Sequence, residues 1–289
     1  MIPGPFTYHR PANLSEALAV LKAHGDEARP LAGGHSLIPM MKLRMAAPEH
    51  LIDLAGIADL KGIREEGGEI VIGATTTQAE LIKSDLLAAK LPIIRETALQ
   101  IADPQIRYKG TLGGNVANGD PGNDMPAVMQ ALGATYVVQG SGGERRIPAR
   151  DFYEGAYFTA LQQDEILIAV RIPAPPAGHG YAYEKLKRKI GDYATAAAAV
   201  ILTVSGGKVA SAAITLTNVA STPLFAADAA KLVIGTALDA ASVKRAAEAA
   251  KAITDPATDG RGTAEYRREM AGVMTARALA KAFARAKGV

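Results

Sequence analysis

An α+β protein of three units is the fold class this sequence predicts, and three observations predict it. The chain has 289 residues, more than one hydrophobic core usually serves. Its 48% hydrophobic and 21% charged content is that of a globular protein and not of a disordered one. Helix caps and strand-like alternation interleave up to the Pro/Gly-rich "PAPPAGHG" at 173–180, after which strands come first and alanine-rich helices follow. The units expected are 1–53, 54–177 and 178–289.

The elements follow in order. "PANLSEALAVLKAHG" reads as a capped helix, with Asn13 as N-cap, Glu16 three residues on and Gly25 past the end. "RPLAGG" is a short strand running into a glycine turn, and "HLIDLAG" is a second strand. "GIREEGGEIVIGATTT" reads as a hairpin turning at Gly67-Gly68. Thr77 caps one helix, "QAELIKSDLLAAK", and Pro92 opens another, "PIIRETALQIA". A long glycine-rich loop begins at Asp103 and leads to a helix over 125–132, for which Asp124 is a candidate N-cap. "ATYVVQG", "ERRIPA" and "DEILIAVRIPAPP" read as strands. Beyond the boundary, "YAYEKLKRK", "TAAAAVILTVSGG" and "KVASAAITLTNVA" predict three antiparallel strands turning at Gly206-Gly207, with helices to the end.

Composition excludes several functions. Net charge is only +3, and the basic run "KLKRK" has no aromatic interleaving, so nucleic acid is not the expected partner. There is no cysteine, which removes disulfides, thiol catalysis and cysteine-ligated iron–sulfur clusters from this chain. The five histidines are scattered without ligand spacing, so no metal site is expected. No apolar run approaches the roughly 20 residues of a membrane span. The start "MIPGPFTYHRP" lacks a basic segment followed by an apolar one, which makes the cytoplasm the default.

Two Gly-Gly steps, Gly33-Gly34 and Gly113-Gly114, stand at the edges of regular structure, and small polar residues follow each. Both read either as plain tight turns or as backbone that a ligand approaches closely. Successive N–H groups in such turns form concave anion sites, and two facing sites would grip a pyrophosphate. Neither G-x-G-x-x-G after a strand nor G-x-x-x-x-G-K-[ST] is present, which disfavours Rossmann and P-loop architectures.

"AGGHSLIPMMK" and "TLGGNVANGDPGNDMPA" together resemble the flavoprotein subunits of molybdenum hydroxylases. The likeness spans the chain, through "ADPQIRYKGTLGGN" and "YAYEKLKRKIGDYATAAAAV", and is nearest the branch that oxidises carbon monoxide. It implies the vanillyl-alcohol-oxidase-type (PCMH-type) FAD-binding fold, completed by a C-terminal domain of a three-stranded antiparallel sheet plus helices. FAD would lie extended between the first two units. The resemblance places Ala32, Gly33, Gly34, His35, Ser36 and Leu37 at one pyrophosphate loop and Thr111, Leu112, Gly113, Gly114 and Asn115 at the other. It sets Asp124 at the ribose or adenine end, with helix capping as the alternative. Ile101 and Leu167 would line the cofactor, although Leu167 also reads as strand core. Lys185 would stand near the flavin, where a cation favours the reduced ring, or be a solvated lysine. Tyr193 would cover one flavin face or be a buried core tyrosine. Asp192 beside it shapes a turn.

The resemblance further implies an electron-transfer subunit with no catalytic acid–base set of its own. Carbon monoxide and water would become carbon dioxide at a molybdenum–copper site, held with molybdopterin cytosine dinucleotide in a large subunit. Electrons would pass through two [2Fe–2S] clusters in a small subunit to FAD here, then to a quinone-type acceptor. The assembly would be a dimer of heterotrimers in the cytoplasm or at the inner face of the membrane. A partner acting on an aldehyde or N-heterocycle, a stand-alone flavin oxidase and a cofactor-free scaffold are the competing expectations.

Overall fold

The computed structural model describes residues 2–288. The first unit is a parallel sheet of β1 (Thr7–His9), β2 (Ala28–Leu31) and β3 (His50–Asp53), in the order β1-β3-β2. α1 (Leu14–His24) crosses over from β1 to β2, and α2 (Leu37–Lys42) follows the glycine turn. The α1 cap forms as the sequence predicts: Asn13 Oδ1 accepts from the Glu16 N–H at 2.9 Å, and the Glu16 carboxylate accepts from the Ala12 N–H. β1 was not expected, because three residues carry too little alternation to read.

The second unit opens with the hairpin of β4 (Ile63–Glu66) and β5 (Glu69–Gly73). "QAELIKSDLLAAK" proves to be two helices, α3 (Gln78–Lys83) and α4 (Asp85–Lys90). Ser84 is extended (φ −75°, ψ 116°), and its hydroxyl accepts from the Leu87 N–H, so it ends one helix and caps the next. α5 (Pro92–Ala98) follows. The expected long loop holds two helices, α6 (Pro104–Arg107) and α7 (Leu112–Ala117), before α8 (Met125–Ala131). β6 (Thr135–Gly140), β7 (Gly143–Pro148) and β10 (Ile166–Pro173) complete a five-stranded antiparallel sheet in the order β4-β5-β10-β6-β7. A small ribbon of β8 (Tyr153–Gly155) and β9 (Phe158–Thr159) packs beside it, with Tyr153 against the shared core.

The third unit holds the three expected long strands, β11 (Gly180–Leu186), β12 (Ala196–Ser205) and β13 (Lys208–Thr217), and β14 (Leu224–Phe225) adds a short edge. α9 (Ala227–Val233), α10 (Ala240–Ala252) and α11 (Ala264–Ala286) cover its outer face. β12 shows why the region is alanine-rich. Ala197 and Ala199 pack with the second unit's core, while Ala198, Val200 and Leu202 pack under the helices. Period-two alternation buries both faces, and the face toward the second unit is held to alanine at 197 and 199. Ile72, Val138 and Val170 of the middle sheet share one core with Tyr183, Ala197 and Ala199, so the second and third units close on a common interior.

The histidines are not scattered in space. His9 ends β1, His24 ends α1 and His50 begins β3. His9 Nε2 and His50 Nδ1 lie 2.9 Å apart, and the His24 and His50 rings stack with centroids 3.6 Å apart.

Candidate cofactor site

The three units enclose a cleft of about 880 Å³, at the upper end of the range for small-molecule sites. The segment 32–37 forms one wall and residues of α7 another, while Lys185 and Tyr193 come from the third unit. Of the residues the sequence singles out, only Leu112 stands apart. Its side chain is fully buried in the core beneath α7.

The first loop is a row of donors. β2 ends at Leu31, and Gly34 takes the left-handed conformation (φ +75°) that turns the chain into α2. Among the described residues, the N–H groups of Gly33, Gly34, His35 and Ser36 have no protein acceptor. Ser36 sits at the N-cap position of α2 without making a side-chain cap bond. A concave run of free N–H groups is an anion cradle. Gly33 is glycine for a nearer reason than a ligand. A Cβ there would stand 2.3 Å from the Lys109 carbonyl oxygen and 2.7 Å from the Gly110 Cα. The two cofactor loops are in backbone contact with each other.

The second Gly-Gly step is not a turn. Gly113 and Gly114 lie in the first turn of α7, and the donors there are already committed. Leu112 N–H donates to the Thr76 carbonyl, Gly113 N–H to the Ala74 carbonyl, and Gly114 N–H to Thr111 Oγ1 at 3.0 Å. Gly113 is required by close packing, since a Cβ would meet the Ala74 carbonyl oxygen at 2.6 Å. The paired glycines therefore do two jobs: one pair frees donors, and the other lets a helix end press against the strand exit from β5. Asn115 is fixed from both ends, its Oδ1 accepting from the Met125 N–H and its carbonyl from Asn123 Nδ2.

Asp124 does not cap α8 with its side chain. Its carboxylate turns to the third unit, where it accepts from Lys185 Nζ at 2.8 Å and from the Tyr183 hydroxyl. Burial pushes the Asp124 carboxyl up, and the Lys185 ammonium and the Tyr183 hydroxyl oppose that push. Lys185 is not solvated: its side chain is 1% exposed. Tyr183 was missed in the sequence, although Tyr183 and Lys185 stand two apart on one strand and so share a face.

Tyr193 is 42% exposed and borders the cleft rather than the core. Burial, then Asp120 and Tyr157, push its phenol up to about 12. Asp192 accepts from the Tyr193 N–H and pairs with Arg188 at 2.8 Å, which fixes the turn as expected. Ile101 and Leu167 supply apolar wall, with Leu167 beside a register shift that interrupts the β6–β10 ladder. Gln78 was not anticipated. It lines the cleft, and its buried Oε1 has no hydrogen-bond partner.

A free donor row for a diphosphate, an apolar wall with an aromatic edge for a ring system and an orphaned amide carbonyl together fit an extended dinucleotide such as FAD. The comparisons agree. Residues 4–175 match the family of FAD binding domains in molybdopterin dehydrogenase, and residues 181–282 match the CO dehydrogenase flavoprotein C-terminal domain. The carbon monoxide dehydrogenase medium chain of Afipia carboxidovorans is 67% identical, the match covering 99% of this chain and 100% of the relative. That of Hydrogenophaga pseudoflava is 50% identical over 99% of each. The reconstituted CO dehydrogenase from Oligotropha carboxidovorans superimposes with a TM-score of 0.98 at 67% identity, covering 99% of this chain and 100% of that one. This chain belongs to the FAD-binding medium subunits of the molybdenum hydroxylases, a family of oxidoreductases.

Proposed function

We propose that this chain is the FAD-carrying electron-transfer subunit of an aerobic carbon monoxide dehydrogenase. Full-length likeness to the Afipia medium chain carries the reading, and the donor row at 33–36 supports it. The chain works with a large subunit holding molybdenum, copper and molybdopterin cytosine dinucleotide, and with a small subunit holding two [2Fe–2S] clusters. In the large subunit carbon monoxide and water give carbon dioxide, two protons and two electrons. FAD, when bound, supplies the change between two-electron and one-electron transfer. Two heterotrimers form the assembly, and electrons leave to a quinone-type acceptor. No described helix is long and apolar enough to cross a membrane, and we place the complex in the cytoplasm, against the inner face of the membrane.

This chain's residues have binding and shaping roles. The N–H groups of Gly33, Gly34, His35 and Ser36 hold the diphosphate, while Ala32 and Leu37 frame it. Thr111, Gly113, Gly114 and Asn115 form the opposite wall, and Leu112 anchors that wall from below. Ile101, Leu167 and Tyr193 exclude water from the ring system. The Lys185–Asp124 pair joins the third unit to the cleft floor. The units 1–53, 54–177 and 178–289 thus meet at the cofactor.

The complex purified with its native partners gives the test. Acid should release FAD, one per medium chain, and anaerobic carbon monoxide should bleach the flavin band. A complex that holds iron and molybdenum but no flavin overturns the electron-transfer role. Bleaching by an aldehyde or N-heterocycle and not by carbon monoxide keeps that role and replaces the substrate.

A further inference from the structure

We propose that His9, His24 and His50 form a divalent-metal site of the zinc class, distinct from the cofactor cleft, with water at the fourth position. The three imidazoles offer ligand nitrogens that all lie within 4.8 Å of one another, and Glu27, Glu49 and His50 form an overlapping group on the same limit. Three half-buried histidines from three elements converge here, and a single hydrogen bond, between His9 and His50, joins them. Tetrahedral zinc with Zn–N near 2.0–2.1 Å sets its ligand nitrogens about 3.3 Å apart. The His24 and His50 rings now stack 19° from parallel with centroids 3.6 Å apart, so one ring must turn out of the stack for both in-plane lone pairs to meet one ion.

The backbone fixes these positions. Parallel pairing of β1 with β3 sets Thr7 opposite His50, so His9 lies one diagonal step along the same face. α1 ends at His24, just before Gly25 reverses the chain. Three imidazole nitrogens suit zinc, and the set lacks the thiolates that would favour softer ions. The ion would tie β1, α1 and β3 together, and β3 pairs with β2, the strand that delivers the donor row at 33–36. The site is therefore a staple for the first unit.

The complex, or the full chain with FAD bound, is stripped with a chelator and titrated with Zn2+. Zinc is counted by plasma mass spectrometry, which separates it from iron, copper and molybdenum. One zinc per medium chain is expected. His24→Gln and His50→Gln should each weaken binding by more than roughly tenfold, whereas His179→Gln, outside the cluster, should leave it unchanged. Flavin content and far-ultraviolet dichroism monitor folding of each variant. If a variant fails to fold, Co2+ in the wild-type protein gives the answer: intense tetrahedral ligand-field bands support the site, and octahedral bands or none overturn it. Failure to bind zinc, or equal binding by the cluster variants, also overturns it. Flavin content reads the cofactor role separately.

Discussion

Gly34 and Gly113 are glycines for different reasons, and alanine separates them. Gly34→Ala places a Cβ at φ +75°, a strain of about 1–2 kcal/mol. The nearest atom is the tip of Ile38, which can move. Gly113→Ala sets a Cβ against the Ala74 backbone, which cannot yield, and overpacking of this kind costs about 1–3 kcal/mol. Urea denaturation of the flavin-free chain should rank Gly113→Ala below Gly34→Ala, and wild-type stability in Gly113→Ala would refute the packing account. Lys185 gives the larger effect. Lys185→Met strands the buried Asp124 carboxylate, and removing one partner of a buried pair costs about 3–5 kcal/mol. Burial already raises the folded-state pKa of Asp124 above its ordinary value, and without Lys185 it rises further. The folded variant then holds a proton that the unfolded chain releases, so its deficit should be largest at neutral pH and shrink as pH falls toward the ordinary carboxyl range. Adding Asp124→Asn should recover much of the loss.

Among the elements, α5 and α11 meet through one carboxylate. Glu96 accepts from the Tyr183 N–H at 2.8 Å and pairs with Arg285 at 2.7 Å and Lys281 at 3.4 Å. Burial pushes its carboxyl up, but Arg285, the Tyr183 N–H and Lys281 together outweigh burial and hold it below the usual range. A depressed folded-state pKa gives stability that is present above the unfolded value and lost as pH falls through the folded one. The wild type should therefore loosen below the ordinary glutamate pKa, and Glu96→Gln should flatten that part of the curve and cost about 1–3 kcal/mol at neutral pH. Elements whose cause is local were readable in the sequence. The Asn13 and Thr77 caps and the Gly67-Gly68 hairpin each lie within a few residues. α7 was not readable, because glycine is a poor helix former and its place there is set by Ala74, distant along the chain. The sequence marked the cleft's glycine walls by motif. Asp124 and Lys185 drew notice one by one, but their pairing across 61 positions left no local sign. Gln78 and the histidine cluster hid for the same reason.

For the whole molecule, the cleft lies where three units meet, so its occupant ties them together. A ligand that binds only the folded state at about 100 times its Kd adds roughly 2.7 kcal/mol. Flavin removal should therefore lower the midpoint of calorimetric unfolding and speed proteolysis of the 32–37 loop, while added FAD should restore both in proportion to its concentration. An unchanged midpoint would place the occupant elsewhere. The Lys185–Asp124 contact has a wider electrostatic consequence. An isolated ammonium would project a monopole field into the cleft, reaching far and fading with added salt. With a carboxylate 2.8 Å away, what remains is a short dipole, whose potential falls as the square of distance and whose buried poles mobile ions reach poorly. This pair's own contribution to the potential in the cleft should thus be nearly independent of ionic strength.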